Sequence, residues 1–169
     1  EEDHRDRTGQ QAGEDVARMA IGQERVLATP LEMAMVAAAI ADGGRLHRPY
    51  LVSLVRDRRK ESIKEGSPDV VGNAVTADVA AEVSAMMRSV VKEGTGTAAA
   101  LSGLEVAGKT GTAEISATSG NMAWFIVFAP ADNPKVAVAV RIENTRGTGG
   151  TTAAPVAAKV MRAALEVAG

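Results

Sequence analysis

In the stretch "GLEVAGKTGTAE", residues 103–114, a lysine, two threonines and a glycine occupy four consecutive positions, Lys109 to Thr112. Read from Gly103 to Thr110, the same stretch fits G-x-x-x-x-G-K-T, the spacing of a loop that cradles phosphate. The two patterns require different settings. A phosphate loop needs a buried strand before it and a helix starting at the Lys-Thr pair, where free amides and the helix dipole meet the anion. Here "GTAAALS" precedes Gly103, Leu104–Ala107 read as the start of a strand, and Gly111 follows Thr110 at a point where a helix would begin. The apolar run "FIVF" ends in Ala129–Pro130, with no acidic residue to hold magnesium. The context therefore predicts a strand through Lys109–Thr112. On a strand successive side chains take opposite faces. A peptide can pair along the backbone of an edge strand, and Gly111 leaves room for close approach.

The flanking elements must hold that strand. "TPLEMAMVAAAIADGG" reads as a helix with Thr29 as N-cap, Pro30 in the first turn, Glu32 closing a capping box and Gly43–Gly44 as the stop. Residues 31–40 are apolar nearly all round, which predicts burial on several sides and a larger body around the helix. "PYLVSLV", 49–55, is a strand candidate, and the charged "RDRRKESIKEGSPD" reads as a solvated loop or hairpin tip. A second helix is expected from Thr76 to about Glu93, with Val79, Val83, Met86, Met87, Val90 and Val91 at helical spacing and Gly94 and Gly96 as stops. Residues 97–101 add a possible helical turn. "AWFIVFAP", 123–130, and "KVAVAVRIE", 135–143, are strands joined by the turn "ADNP". Val136, Val138, Val140 and Ile142 share one face of the second. A Gly/Thr stretch, 145–152, reads as a flexible connection to a last helix from Pro155 to about Glu166. Three consecutive strands with short connections argue for an antiparallel sheet. The fold class is α/β of the α+β type, an antiparallel sheet flanked by helices.

Composition narrows the function. The 169 residues suffice for one domain with a core. A net charge of −2 offers no general attraction to nucleic acid. The absence of cysteine excludes disulfides and thiolate metal sites. His4 and His47 have no ligand pattern around them and read as surface residues, so neither a metal nor a cofactor is expected. No apolar run of about 18 residues exists to span a bilayer. Residues 1–13 are polar and expected to be mobile. The opening "EEDHRDRTGQQ" reads as a cut inside a longer protein, with a trimmed N-terminus as the alternative.

Five segments taken together resemble the C-terminal half of a class B penicillin-binding protein transpeptidase domain. They are "AIGQERVLATPLEMA" (20–34), "MRSVVKEGTGTAA" (87–99), "VAGKTGTAE" (106–114), "AWFIVFAPADNPKVAVAV" (123–140) and "GTGGTTAAPVAAKVM" (147–161). The resemblance implies an antiparallel sheet with helices on both faces beside an all-helical subdomain. It implies a reaction in which a serine attacks the D-Ala-D-Ala end of a peptidoglycan stem peptide, releases D-Ala and passes the acyl group to an amine. β-Lactams mimic the dipeptide and trap the serine. On this chain it implies Lys109 and Thr112 as catalytic residues, the Thr112 amide being an oxyanion donor. It also implies Thr110, Gly111 and Thr112 as substrate-binding residues, the two hydroxyls taking the substrate carboxylate. The parent protein is expected at the extracytoplasmic face of a bacterial membrane, and the fragment itself to be soluble.

The family site has three motifs, S-x-x-K, S-x-N and K-T-G. Ser89–Lys92 fits the first and Ser119–Asn121 the second, but neither sits where the family has it. Ser89 belongs to the second helix, close before Lys109, and Ser119 follows the K-T-G motif in a loop. The chain is therefore expected to be the C-terminal portion of a transpeptidase domain, inactive alone, with the nucleophile, S-x-N and the first sheet strands upstream. Those strands would pair beside 135–143, so the bare edge invites self-association. Trp124 reads as a packing residue whose ring can line the cleft side, and Glu114 as a residue at the cleft mouth or a solvated carboxylate. The alternatives are a non-catalytic β-lactam- or peptide-binding module of the same fold, or a D,D-carboxypeptidase or β-lactamase relative.

Overall fold

The computed structural model describes residues 16–23, 26–116 and 120–168. His4, Ser119 and the stretch 1–13 lie outside them. The elements are α1 (Val16–Ala20), α2 (Pro30–Ala41), β1 (Arg45–His47), β2 (Leu54–Arg56), β3 (Ser62–Glu65), β4 (Val70–Asn73), α3 (Ala77–Lys92), β5 (Ala107–Ser116), β6 (Gly120–Ala129), β7 (Val136–Thr145) and α4 (Ala154–Ala168). A short turn, Thr97–Ala99, follows α3, and a wide helical turn, Gly149–Ala153, leads into α4.

β5, β6 and β7 form one antiparallel sheet in that order, with Thr110 opposite Phe125 and Phe125 opposite Val140. Alternation divides the sheet into two faces. Ala123, Phe125 and Val127, with Val136, Val138, Val140 and Ile142, pack against Ala154, Ala157 and Met161 of α4. On the opposite face Ala107, Ile126, Phe128 and Ala137 meet Ile40 of α2 with Val83 and Met87 of α3. The sheet is thus covered by helices on both sides, as the strand periodicity and the family resemblance required. Phe125, Phe128, Met161 and Val127 are the largest fully buried side chains.

α2 starts as its sequence dictates. The Thr29 hydroxyl accepts from the Glu32 amide at 3.2 Å, and the Glu32 carboxylate accepts from the Thr29 amide at 2.7 Å. These bonds hold the Glu32 carboxyl below the usual carboxylate range, the Thr29 amide contributing most. Only Ala37 and Ala39 of this apolar helix are buried, while Leu31 is 58% and Val36 46% exposed. The helix therefore presents a second apolar side that nothing among the described residues covers. In α3 the expected stripe is narrower than its spacing suggested. Met87 and Val91 are buried, but Val79 and Met86 face outward.

Between the helices the strand expected over 49–55 is reduced to Leu54–Arg56, paired with β3. Pro49 has no amide to give a ladder, and Leu51 is fully exposed, so the apolar run has no core to face. The charged stretch does form a hairpin tip: the Asp57 carboxylate accepts from the amides of Arg59 and Glu61 at 2.8 and 2.9 Å. The β1–β4 pairing had no signal in the sequence reading. It joins residues that a separate hairpin keeps apart along the chain.

One ion-pair cluster locks α3 to the sheet. Arg88 donates to Glu105 ahead of β5, to Asp132 at 2.6 Å and to the Ala131 carbonyl at 2.8 Å in the β6–β7 turn. Asp132, ahead of the other partners, makes the guanidinium still harder to deprotonate. Arg88→Ala is expected to destabilise by about 1–2 kcal/mol, because the pairs are partly exposed and the Ala131 carbonyl loses a charged donor. The midpoint of urea unfolding measures it. A second lock is Asp42, which takes Arg45 and His47, each at 2.6 Å. Arg45 chiefly, with His47, holds its carboxyl below the ordinary value of 3.8. A depressed carboxylate stabilises above its unfolded pKa and loses that contribution as pH falls through its folded one. The melting-temperature gap between the unaltered protein and Asp42→Asn should accordingly close on acidification below pH 3.8.

Candidate functional site

Lys109, Thr110, Gly111 and Thr112 lie in the middle of β5, and no helix starts at Lys109. This removes the phosphate-loop reading. β5 is an edge strand of its sheet, and among the described residues the one strand it pairs with is β6. The Thr112 carbonyl accepts from Gln23 Nε2 at 3.3 Å, and the Thr110 carbonyl accepts from Lys109 Nζ at 2.7 Å. Both carbonyls are reached from outside the ladder, so Thr110 and Thr112 turn their backbone groups toward the free edge. In an antiparallel pair a residue's N–H and C=O point the same way, so the Thr112 amide also faces outward.

The side chains divide by face. Thr110 and Thr112 stand opposite Phe125 and Ala123, on the α4 side. The Thr110 hydroxyl lies 2.8 Å from that of Thr95, in the turn after α3. The Thr112 hydroxyl accepts from the Gly149 amide at 3.1 Å. Lys109 and Gly111 point to the other face, opposite Ile126 and Trp124. Lys109 is exposed, and its ammonium bends back to the edge. A side chain at 111 would not project along the edge. Its Cβ would meet the Trp124 Cβ at 3.2 Å.

On that second face a groove of about 820 Å³ runs between the sheet and the segment entering α2. Gly111, Thr112, Trp124 and Arg141 form one wall, and Gln23, Leu27 and Glu32 part of the other. Trp124 thus lines the cleft side, with the Arg141 guanidinium 5.7 Å from its ring centre. The Glu114 backbone continues β5, and its side chain lies outside the described atoms.

The Gly/Thr stretch after β7 is an ordered turn, not the flexible connection its composition suggested. Thr148 and Thr151 cap one another: the Thr148 amide donates to Thr151 Oγ1 at 2.9 Å and the Thr151 amide to Thr148 Oγ1 at 3.3 Å. Gly149 rests directly on the strand backbone. A Cβ there would come within 2.5 Å of the Gly111 carbonyl oxygen and closer still to that of Trp124. Gln23, Thr95 and Gly149 were not singled out from sequence. The Gly-Thr spacing of "EGTG" and "GTGG" was the available signal. Ser89 is exposed on α3 and turns its hydroxyl to the Ala85 carbonyl of its own helix at 3.5 Å, with no bond to Lys92. His47 is occupied by Asp42.

Comparison with known proteins places the chain in a family. Residues 2–162 match the family model of the penicillin binding protein transpeptidase domain. The chain belongs to that family, and its relatives are class B penicillin-binding proteins. It is 41% identical over 152 residues to the peptidoglycan D,D-transpeptidase PbpA of Mycolicibacterium smegmatis, covering 86% of this chain and 31% of that protein. It is 35% identical to stage V sporulation protein D of Bacillus subtilis, over 88% of this chain and 24% of that one. Penicillin-binding protein A from M. tuberculosis, solved as a ceftriaxone acyl-enzyme complex, superposes with a TM-score of 0.83 at 39% identity, over 89% of this chain and 35% of that one. The D,D-transpeptidase domain from Eggerthella lenta gives 0.77 at 45% identity, over 84% and 33%. The chain thus spans about a third or less of the length of these proteins. Among the described residues no helix is long and apolar enough to cross a membrane.

The two glycines of β5 should respond differently to a methyl group. At Gly108 a Cβ would lie 2.7 Å from the buried Phe125 ring and 3.0 Å from the Ile126 carbonyl oxygen. Gly108→Ala is expected to destabilise by about 1–3 kcal/mol through overpacking, and Gly111→Ala by less than about 1 kcal/mol. Paired urea titrations test this ordering.

Proposed function

We propose that this chain is the C-terminal portion of a serine-type peptidoglycan D,D-transpeptidase domain, with the nucleophilic serine, its lysine and S-x-N supplied by residues upstream of Glu1. The observation that carries the reading is the open edge of β5, where Thr110 and Thr112 present backbone groups outward and hydroxyls to one side. An acyl-donor peptide ending in D-Ala-D-Ala would lie along that edge as an added strand. The serine oxygen attacks the penultimate D-Ala carbonyl, and the outward Thr112 amide stabilises the resulting oxyanion. Such a donor is worth about 3–4 kcal/mol in the transition state. Collapse of the intermediate releases D-Ala with a proton on its nitrogen and leaves the acyl-serine. An amine from a neighbouring strand then takes the acyl group. Lys109 supplies positive charge beside the cleft, and Thr110 and Thr112 donate to the terminal carboxylate. A β-lactam follows the first half of this course and stops at the acyl-serine. The relatives' names support an extracytoplasmic site of action at the bacterial cell wall.

Labelled penicillin tests the assignment. The full-length protein should form a stoichiometric serine adduct, and this chain alone none. Lys109→Ala and Thr112→Pro should each slow labelling by at least about 100-fold. Proline is tolerable at 112 because the lost amide faces the free edge and not β6. Labelling at a near-normal rate in either variant overturns the site. Reversible penicillin binding without an adduct marks the non-catalytic module instead. A second expectation concerns β7, whose outer edge pairs with no strand among the described residues. The isolated chain should self-associate through that edge. Light scattering that finds a monomer, with fast amide exchange along β7, would contradict it.

A further inference from the structure

Thr110 and Thr112 do not stand alone on their face of β5. Two loops remote in sequence reach them from behind. Thr95, in the turn that ends α3, places its hydroxyl 2.8 Å from that of Thr110. The Gly149 amide, at the start of the turn into α4, donates to the Thr112 hydroxyl at 3.1 Å. The loops also interlock. A Cβ on Gly149 would strike the backbone of Gly111 and Trp124, and one on Gly150 would strike the Thr95 carbonyl. The Thr148–Thr151 reciprocal cap fixes the turn that carries both glycines.

This arrangement fixes the direction of the hydrogen bonds. An amide N–H only donates, so Thr112 Oγ1 is the acceptor in its bond with Gly149. Its own hydrogen has no acceptor among the described residues and is available outward. Thr95 and Thr110 have two hydroxyl hydrogens between them. One joins the pair, and the other is left over. When Thr110 donates to an anion, Thr95 must donate to Thr110. Both strand threonines are then fed from behind and present hydrogens in front, and a donor chain of this kind strengthens each link. A carboxylate can only accept.

We propose that Thr95 and Gly149 are positioning residues that set Thr110 and Thr112 as a pair of donors for the terminal carboxylate of the acyl-donor peptide. This rests on the function proposed above. The two loops act through the strand hydroxyls and do not touch the reacting carbonyl. Their effect should therefore depend on whether the ligand carries a free carboxylate.

The test measures acylation of the full-length protein by penicillin G and by its methyl ester, followed by intact mass. Thr95→Val should slow acylation by the free acid about 5- to 10-fold, the loss of roughly one hydrogen bond. Acylation by the ester should change less than about twofold, since an ester makes weaker use of the donor pair. Thr95→Ser should restore the rate with the acid. Gly149→Ala should show the same preference for harming the acid. Because that methyl group meets backbone and the variant can misfold, Thr95→Val decides the matter. Equal slowing of acid and ester, or no change with either, overturns the proposal while leaving the transpeptidase reading in place. An unaltered protein that neither compound acylates overturns both.

Discussion

A strand edge left open to solvent invites pairing with any extended chain, and proteins ordinarily blunt such edges. The outer edge of β5 stays accessible because its backbone is gripped elsewhere. β6 pairs with its inner side, the Gly149 turn presses on one face at Gly111, and Trp124 backs Gly111 from the other. Among the described residues the groups on the outer side are met only by single side chains, Gln23 and Lys109, which a peptide can displace. The rest of the structure follows from keeping this strand paired on one side. Small residues, Gly108 and Gly149, occupy the places where a methyl group would collide with the buried Phe125 ring or the strand backbone.

The two faces of the sheet carry different duties. The α4 face is densely filled, with Ala154, Ala157 and Met161 against Phe125 and Val127. It is the rigid support for the threonine hydroxyls. The α2–α3 face is filled near Phe128 but opens toward Trp124 and Gly111 into the groove. Apolar surface is also left uncovered on α2 at Leu31 and Val36, beside the exposed Leu27.

Charge plays a local part. Arg88 joins three separate pieces of chain, yet its carboxylate partners are largely exposed, so the cluster sets geometry more than it adds stability. At the proposed site one exposed cation, Lys109, stands beside neutral donors. In the proposed mechanism the outward Thr112 amide is set by the fold before any ligand arrives and needs no reorganisation when charge develops on a substrate oxygen.

Much of this was legible in one dimension. The capping box at Thr29–Glu32, the strand through Lys109–Thr112 and the β6–β7 hairpin follow from local rules of capping, glycine placement and period-two alternation. The five resembling segments placed the chain in its family, because order and spacing survive in sequence. Other features were not legible. The 49–55 run looked like a strand until its lack of a core face became visible, and β1–β4 pairing joins segments that no periodicity links. The Gly/Thr stretch after β7 looked like slack chain. By itself the sequence determined which residues form the strand and which side chains share a face, since both depend on neighbours a few positions away. Only the tertiary structure decided that Thr95 and Gly149 stand behind Thr110 and Thr112, because contacts between segments far apart in the chain are set by packing and leave no local pattern to read.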